Sequence, residues 1–174
     1  DESRADAQRE KVMDIPLSEI SDFPDHPFKV KADEAMLEMA DSVKQYGVLV
    51  PGLVRPKADG GYEMVAGHRR KKASELAGME TMPCIVRELD DDQATIIMVD
   101  SNLQREHIAP SEKAFAYKMK LEAMKRQAGR PSKENVSQVG TQKRSDELLA
   151  DQVGESRNQI QRYIRLTHLI PSIL

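Results

Sequence analysis

The strand-like run Tyr62-Glu63-Met64-Val65-Ala66 ends at Gly67 and passes without a loop into a helical pattern whose first turns hold His68, Arg69, Arg70, Lys71 and Lys72. A strand joined to a helix through one glycine requires a mixed α/β unit, with the helix laid back across a sheet. The charges are the unusual part. The N-terminal end of a helix carries partial positive charge, so each cation there costs about 0.3–1 kcal/mol. An anion bound at that end would offset the cost, because free backbone N–H groups, a glycine open to close approach and guanidinium forks together hold phosphate. A solvated basic patch, or arginines paired with nearby carboxylates, reads the same residues without a ligand.

The rest of the chain is organised around this junction. Residues 12–15 read as a short strand, with Leu17 and Ile20 in the turn after it, and residues 21–31 as a loop holding Pro24, His26 and Pro27. Asp33 is placed to cap a helix with Met36, Met39, Ala40 and Val43 on one face, closed by Gly47. Residues 48–55 and 62–66 are strand-like on either side of Ala58-Asp59-Gly60-Gly61, a hairpin signal. A helix over 67–77 closed by Gly78 and an apolar strand over 82–87 follow. From residue 90 onward the pattern predicts helices alone. The first runs from Asp90 or Asp91 to about Gln104, and the second opens at Pro110-Ser111. Two short ones, over 146–153 and 156–169, flank Gly154. The expected division is a flexible N-terminus over 1–11, an α/β domain over 12–105 and an all-α domain over 106–174. A polar linker is expected over 127–144.

Charge separates these halves. Residues 101–174 carry 13 Lys/Arg against 8 Asp/Glu, a net of +5, whereas residues 1–100 carry 13 against 21, a net of −8. A basic half points to a polyanion partner, although an ordinary solvated surface has the same balance. With 32% charged residues, 4% aromatic and no Trp, the composition suits a soluble helix-rich protein and not a β-sandwich. No apolar run approaches the ~20 residues of a membrane span, and no signal-peptide pattern opens the chain. Cys84 is the single cysteine, so no internal disulfide forms and a reducing, cytoplasmic setting is expected. Opening on Asp1 rather than Met, the chain reads as a fragment.

Two more segments carry chemistry. Ser101-Asn102-Leu103-Gln104-Arg105 closes a helix with side chains suited to metal, hydroxyl and phosphate, or with a plain C-terminal cap in which the helix dipole favours Arg105. The residues 148–166 have helix-turn-helix spacing: a small Ala150, a turn at Gly154, Ser156 as N-cap, and Ile160 and Ile164 facing the core. That leaves Arg157, Asn158, Gln159, Gln161 and Arg162 outward, side chains suited to base edges and phosphates in a major groove. An ordinary helical hairpin would also be polar outside, but it would not lack acids so completely after Glu155.

Taken together, these segments resemble the ParB family of chromosome and plasmid partition proteins. His26-Pro27-Phe28-Lys29 sits where that family has its first nucleotide box, and Tyr46-Gly47-Val48-Leu49-Val50-Pro51 resembles its glycine-hydrophobic-proline stretch. Ala66-Gly67-His68-Arg69-Arg70 resembles the Gly-Glu-Arg-Arg box, and Asn102-Leu103-Gln104-Arg105 the Glu-Asn-Leu-Gln-Arg box. Pro110-Ser111-Glu112-Lys113-Ala114 and the helix-turn-helix follow in the family's order. The resemblance implies a ParB/sulfiredoxin-like α/β domain that binds CTP with Mg2+, followed by an all-α helix-turn-helix domain. It implies nucleotide contacts from Gly47, Ala66, Gly67, His68, Arg69, Arg70, Asn102, Gln104 and Arg105, with Asn102 beside the metal. DNA contacts are implied for Lys143, Arg144, Ser156, Arg157, Asn158, Gln159 and Arg162, Arg157 foremost. The implied protein is a homodimeric clamp loaded on a palindromic DNA site, partnered by a ParA-type ATPase and associated with nucleoid or plasmid. The family's C-terminal dimerisation domain does not fall within these residues.

His68 and Ser101 stand where the family has glutamates, removing hard oxygen ligands or groups that orient water, so slow CTP hydrolysis is expected. Asp100 is one position away, rotated by about 100° on its helix. Three other readings remain at this level: a nucleotide-independent DNA-binding regulator, a ParB-like nuclease, and a sulfiredoxin-like enzyme. The last needs a cysteine beside the basic box, where this chain has none.

Overall fold

The computed structural model describes residues 11–105, 107–129 and 144–169. The chain packs as two compact units, Asp1–Leu89 and Asp90–Leu174.

The first unit is the expected mixed α/β structure. Its strands β1 (Val12–Pro16), β2 (Ile20–Ser21), β3 (Gly52–Pro56), β4 (Tyr62–Ala66) and β5 (Thr81–Val86) form one sheet in the order β1-β5-β3-β4-β2. β1 lies antiparallel to β5 and β3 to β4, while β5 is parallel to β3 and β2 to β4. One core cluster is Ile15, Ile20, Val54, Met64, Met82 and Cys84. A second joins the helices α1 (Glu34–Tyr46) and α2 (His68–Leu76) through Met36, Ala40, Val43 and Ala73. Asp33 caps α1 as predicted, accepting from the Met36 N–H at 3.0 Å, and the Gly47 N–H closes it on the Val43 carbonyl.

Two expectations change here. The β-like run over 48–55 becomes a strand only from Gly52, because Pro51 has no N–H to give a ladder and the carbonyls of Val50 and Pro51 are taken by the Arg70 side chain. Ile20, read in a turn, and Ser21, read as the start of a loop, instead make a short edge strand parallel to β4.

Among the described residues the second unit is helical: α3 (Asp91–Leu103), α4 (Pro110–Gly129), α5 (Ser145–Val153) and α6 (Arg157–Leu169). A reciprocal capping box starts α3, the Asp90 carboxylate accepting from Gln93 N–H and the Gln93 side chain from Asp90 N–H. Helix α4 runs through Gly129, so 127–129 belong to it rather than to a linker. The expected linker over 130–143, and Lys143 with it, lies outside the described residues, as do residues 1–10 of the expected flexible N-terminus. The core joins Tyr117, Leu121, Leu149, Ala150 and Ile160. The structural division falls at Leu89/Asp90, where the sequence reading put it near residue 105, because α3 packs with the helices. Lys120 of α4 is 2% exposed and donates to Asp100 of α3 at 2.5 Å and to Gln152 of α5 at 2.6 Å. No described helix is long and apolar enough to cross a membrane.

Candidate functional site

At the junction of β4 and α2, Gly67 has φ +113°, a conformation closed to residues with a Cβ. An added Cβ would also lie 3.2 Å from the Gly52 Cα, so two strands' ends approach as only glycine allows. The Lys71 N–H bonds back to the Gly67 carbonyl, which puts Arg69 and Arg70 in the first turn, where a helix offers its own N–H groups no backbone partner.

The cations of this turn are distributed unequally. Arg70 Nη1 donates to the carbonyls of Val50 (2.5 Å) and Pro51 (2.6 Å), fixing the loop before β3 to α2, and its burial lowers its pKa. Lys71 is buried and paired with Asp22 at 2.7 Å. Burial alone would raise the Asp22 carboxyl, but the bond and charge of Lys71 hold it below the usual carboxylate range. Lys72 pairs with Glu75 at 3.2 Å. His68 is buried, accepts from the Phe23 N–H through Nε2 at 3.4 Å, and packs against His26 with ring centroids 4.0 Å apart and the rings tilted by 43°. Arg69 alone has neither hydrogen bond nor ion pair among the described residues, and it is half-buried beside Gly67.

The structure therefore joins two boxes that lie 42 positions apart, at His26 and His68, in the wall of a cavity of about 260 Å³ lined also by Asp22, Phe28, Lys71 and Glu75. Nothing in the spacing announced the Arg70–carbonyl contacts. They need a residue that folds back over 20 positions. Ala66 pairs with Leu53 at the end of β4, and Gly47 ends α1 next to the exposed Leu49 and Val50. Cys84 is fully buried in β5, and burial pushes its thiol up to about 11, which keeps it protonated and unreactive at neutral pH.

Asn102, Gln104 and Arg105 belong to the second unit. Asn102 is buried and turns its amide N–H to the Met98 carbonyl at 2.8 Å, leaving its oxygen as the acceptor. Gln104 is exposed and Arg105 half-buried. Ser101 donates to the same Met98 carbonyl, and Asp100 is engaged by Lys120. Among the described residues no three His, Cys, Asp or Glu side chains cluster to hold a metal ion.

The helix pair α5–α6 turns at Gly154, φ +68°, with nothing within 4 Å of an added Cβ. Ser156 caps α6 as predicted, its Oγ accepting from Gln159 N–H at 3.2 Å. Ile160 is fully buried, and Asn158, Arg162 and Arg165 are exposed on a helix that has no acidic residue. Arg144, at the start of α5, lies 3.8 Å from Asp146. Arg157 does not stand free: its Nε donates to Asp146 at 2.5 Å. Burial alone would raise the Asp146 carboxyl, but Arg157 and then Arg144 hold it below the usual range.

Comparison with known proteins defines the class. The ParB N-terminal domain matches residues 1–103, and the chain belongs to that family. It is similar to the chromosome-partitioning protein Spo0J of Thermus thermophilus, 36% identical over 163 residues, 94% of this chain and 53% of that protein. Stage 0 sporulation protein J of Bacillus subtilis is likewise 36% identical, over 98% of this chain and 54% of its own length. The chain thus spans about half the length of the curated relatives it matches. Among solved structures it is similar to C-terminally truncated ParB of Caulobacter crescentus in two states. The complex with the centromeric parS site gives a TM-score of 0.58 at 30% identity, covering 92% of this chain and 73% of that one. The complex with CTP-γ-S gives 0.51 at 31%, covering 93% and 81%.

Proposed function

We propose that this chain is the nucleotide-binding and DNA-reading portion of a partition protein. In this reading α5 and α6 form a helix-turn-helix that reads a palindromic DNA site, and CTP with Mg2+ closes two copies into a sliding clamp. The observation that carries it is the tight glycine corner at Gly67 with one arginine beside it, Arg69, uncommitted to the protein among the described residues. Solved relatives bound to a CTP analogue and to parS support both halves. In the first unit the nucleotide contacts would come from Gly47, Ala66, Gly67, His68, Arg69 and Arg70. In the second, the family resemblance assigns nucleotide contacts to Asn102, Gln104 and Arg105, with Asn102 as the residue that would hold the metal. The DNA contacts would come from Arg144, Ser156, Arg157, Asn158, Gln159 and Arg162. A ParA-type ATPase partner and a nucleoid or plasmid location belong to the same reading.

Hydrolysis should be slow. His68 is buried against His26, Ser101 has no carboxylate, and Asp100 is tied to Lys120, so neither position carries a free carboxylate. Calorimetry of CTP, with ATP, GTP and UTP as controls, in magnesium buffer with and without DNA tests the proposal. Selective CTP binding that is lost in Arg69→Ala, with bound CTP recovered intact, is the expected result. Rapid conversion to CDP overturns the hydrolysis claim alone. A second reading, a nucleotide-independent DNA-binding regulator, is favoured by one fact: Arg70 is already used to hold Val50 and Pro51. Absence of binding by any nucleotide, with sequence-selective DNA binding intact, would select it.

A further inference from the structure

Arg157 is the first residue of α6 and its side chain is 45% exposed, yet its position is set from below. Its Nε donates at 2.5 Å to Asp146, whose side chain is only 9% exposed in the first turn of α5. A guanidinium has five N–H donors in a rigid plane. One bond through Nε fixes that plane and leaves the edge formed by Nη1 and Nη2 for a partner. That edge matches the O6 and N7 acceptors of guanine in the major groove, a bidentate pattern that no other base presents. The ion pair also opposes what α6 otherwise does. Arg157, Arg162 and Arg165 favour any polyanion, whereas a carboxylate beside them weakens attraction to phosphate and holds one arginine away from it.

We propose that Asp146 is a specificity-determining positioning residue: it holds Arg157 so that its fork reads one guanine in each half of the DNA site. This rests on the reading of α6 as the DNA-contacting helix. Asp146 itself touches no base. It lowers total affinity for DNA and raises discrimination, by restricting Arg157 to one geometry and by denying it to the phosphates.

Selection from random duplexes with the full chain and its variants tests this, together with binding to a non-selected duplex. The wild type should enrich a motif with a guanine at one position of each half-site. Arg157→Ala and Asp146→Ala should both lose preference at that same position, by about ten-fold or more, and keep the others. Asp146→Ala should bind the non-selected duplex as well as or better than wild type. Asp146→Asn keeps an oxygen acceptor for Nε and should retain most of the preference. Asp146→Ser keeps a small polar side chain that is too short to hold Nε, so it should lose the guanine preference as Asp146→Ala does. It decides the question if Asp146→Ala fails to fold. Retention of the preference by Asp146→Ala or by Asp146→Ser, or relaxation at a different position from Arg157→Ala, overturns the inference while DNA reading stands. A wild type that enriches no motif removes the DNA reading and this inference with it.

Discussion

Gly67 and Gly154 each turn the chain towards a basic helix, but their surroundings differ. At Gly67 an added Cβ would strike backbone, and most of the cations after it are used within the protein, Arg70 on two carbonyls and Lys71 on Asp22. At Gly154 there is open space, and the cations on α6 face outward apart from Arg157, which is held by Asp146. A glycine before a basic helix is one pattern in sequence and two devices in structure. The first builds a tight corner with one arginine left over, and the second builds an exposed surface with one arginine restrained.

The largest effect expected from this contrast is on stability. Gly67→Ala combines the wrong dihedral with a contact against Gly52 and should cost about 2–4 kcal/mol. Gly154→Ala, with only the dihedral to accommodate, should cost about 1–2 kcal/mol. Denaturant unfolding of both variants measures this, fitted for two units that need not unfold together. Equal costs would mean that the approach of Gly67 to Gly52 is not tight.

A smaller difference should separate two neighbours. Arg70→Ala, measured without nucleotide, removes a charged donor from two carbonyls and should cost about 1–3 kcal/mol. Arg69→Ala should stay within about 0.5 kcal/mol of wild type. If the two behave alike in melting, Arg70 is not the tie between α2 and the loop before β3.

The smallest effect is on acidification. The folded Asp146 has a depressed pKa, so the stability it contributes is present above the ordinary carboxylate value and is lost as pH falls through the depressed one. Amide exchange at the start of α6 should accelerate over that range. The Arg70 contacts have no titrating partner and should not respond. Simultaneous loosening of both places would show that they are not independent.

Much of this was legible in the residues. Asp33, Asp90 and Ser156 were recognisable as caps because each bonds an N–H two or three positions away, and Gly47 and Gly154 as stops because the handed turn they make is local. The strands β4 and β5 were visible as short apolar runs. Three things were not: the edge strand at Ile20 and Ser21, which exists only because β4 is beside it; the membership of α3, set by a buried lysine 20 positions away; and the fates of Arg70 and Arg157. Asp146 was read only as the opening of a helix, and no spacing rule links it to Arg157.

The sequence by itself determined the order of elements, the two glycine corners and the acid-free face of α6. Each of these rests on bonds or periodicities that span a few residues. Only the tertiary structure decided which cations are spent and which are available. That depends on which carbonyl or carboxylate the fold brings within 3 Å of a flexible side chain, and those partners lie 11 to 49 positions away along the chain.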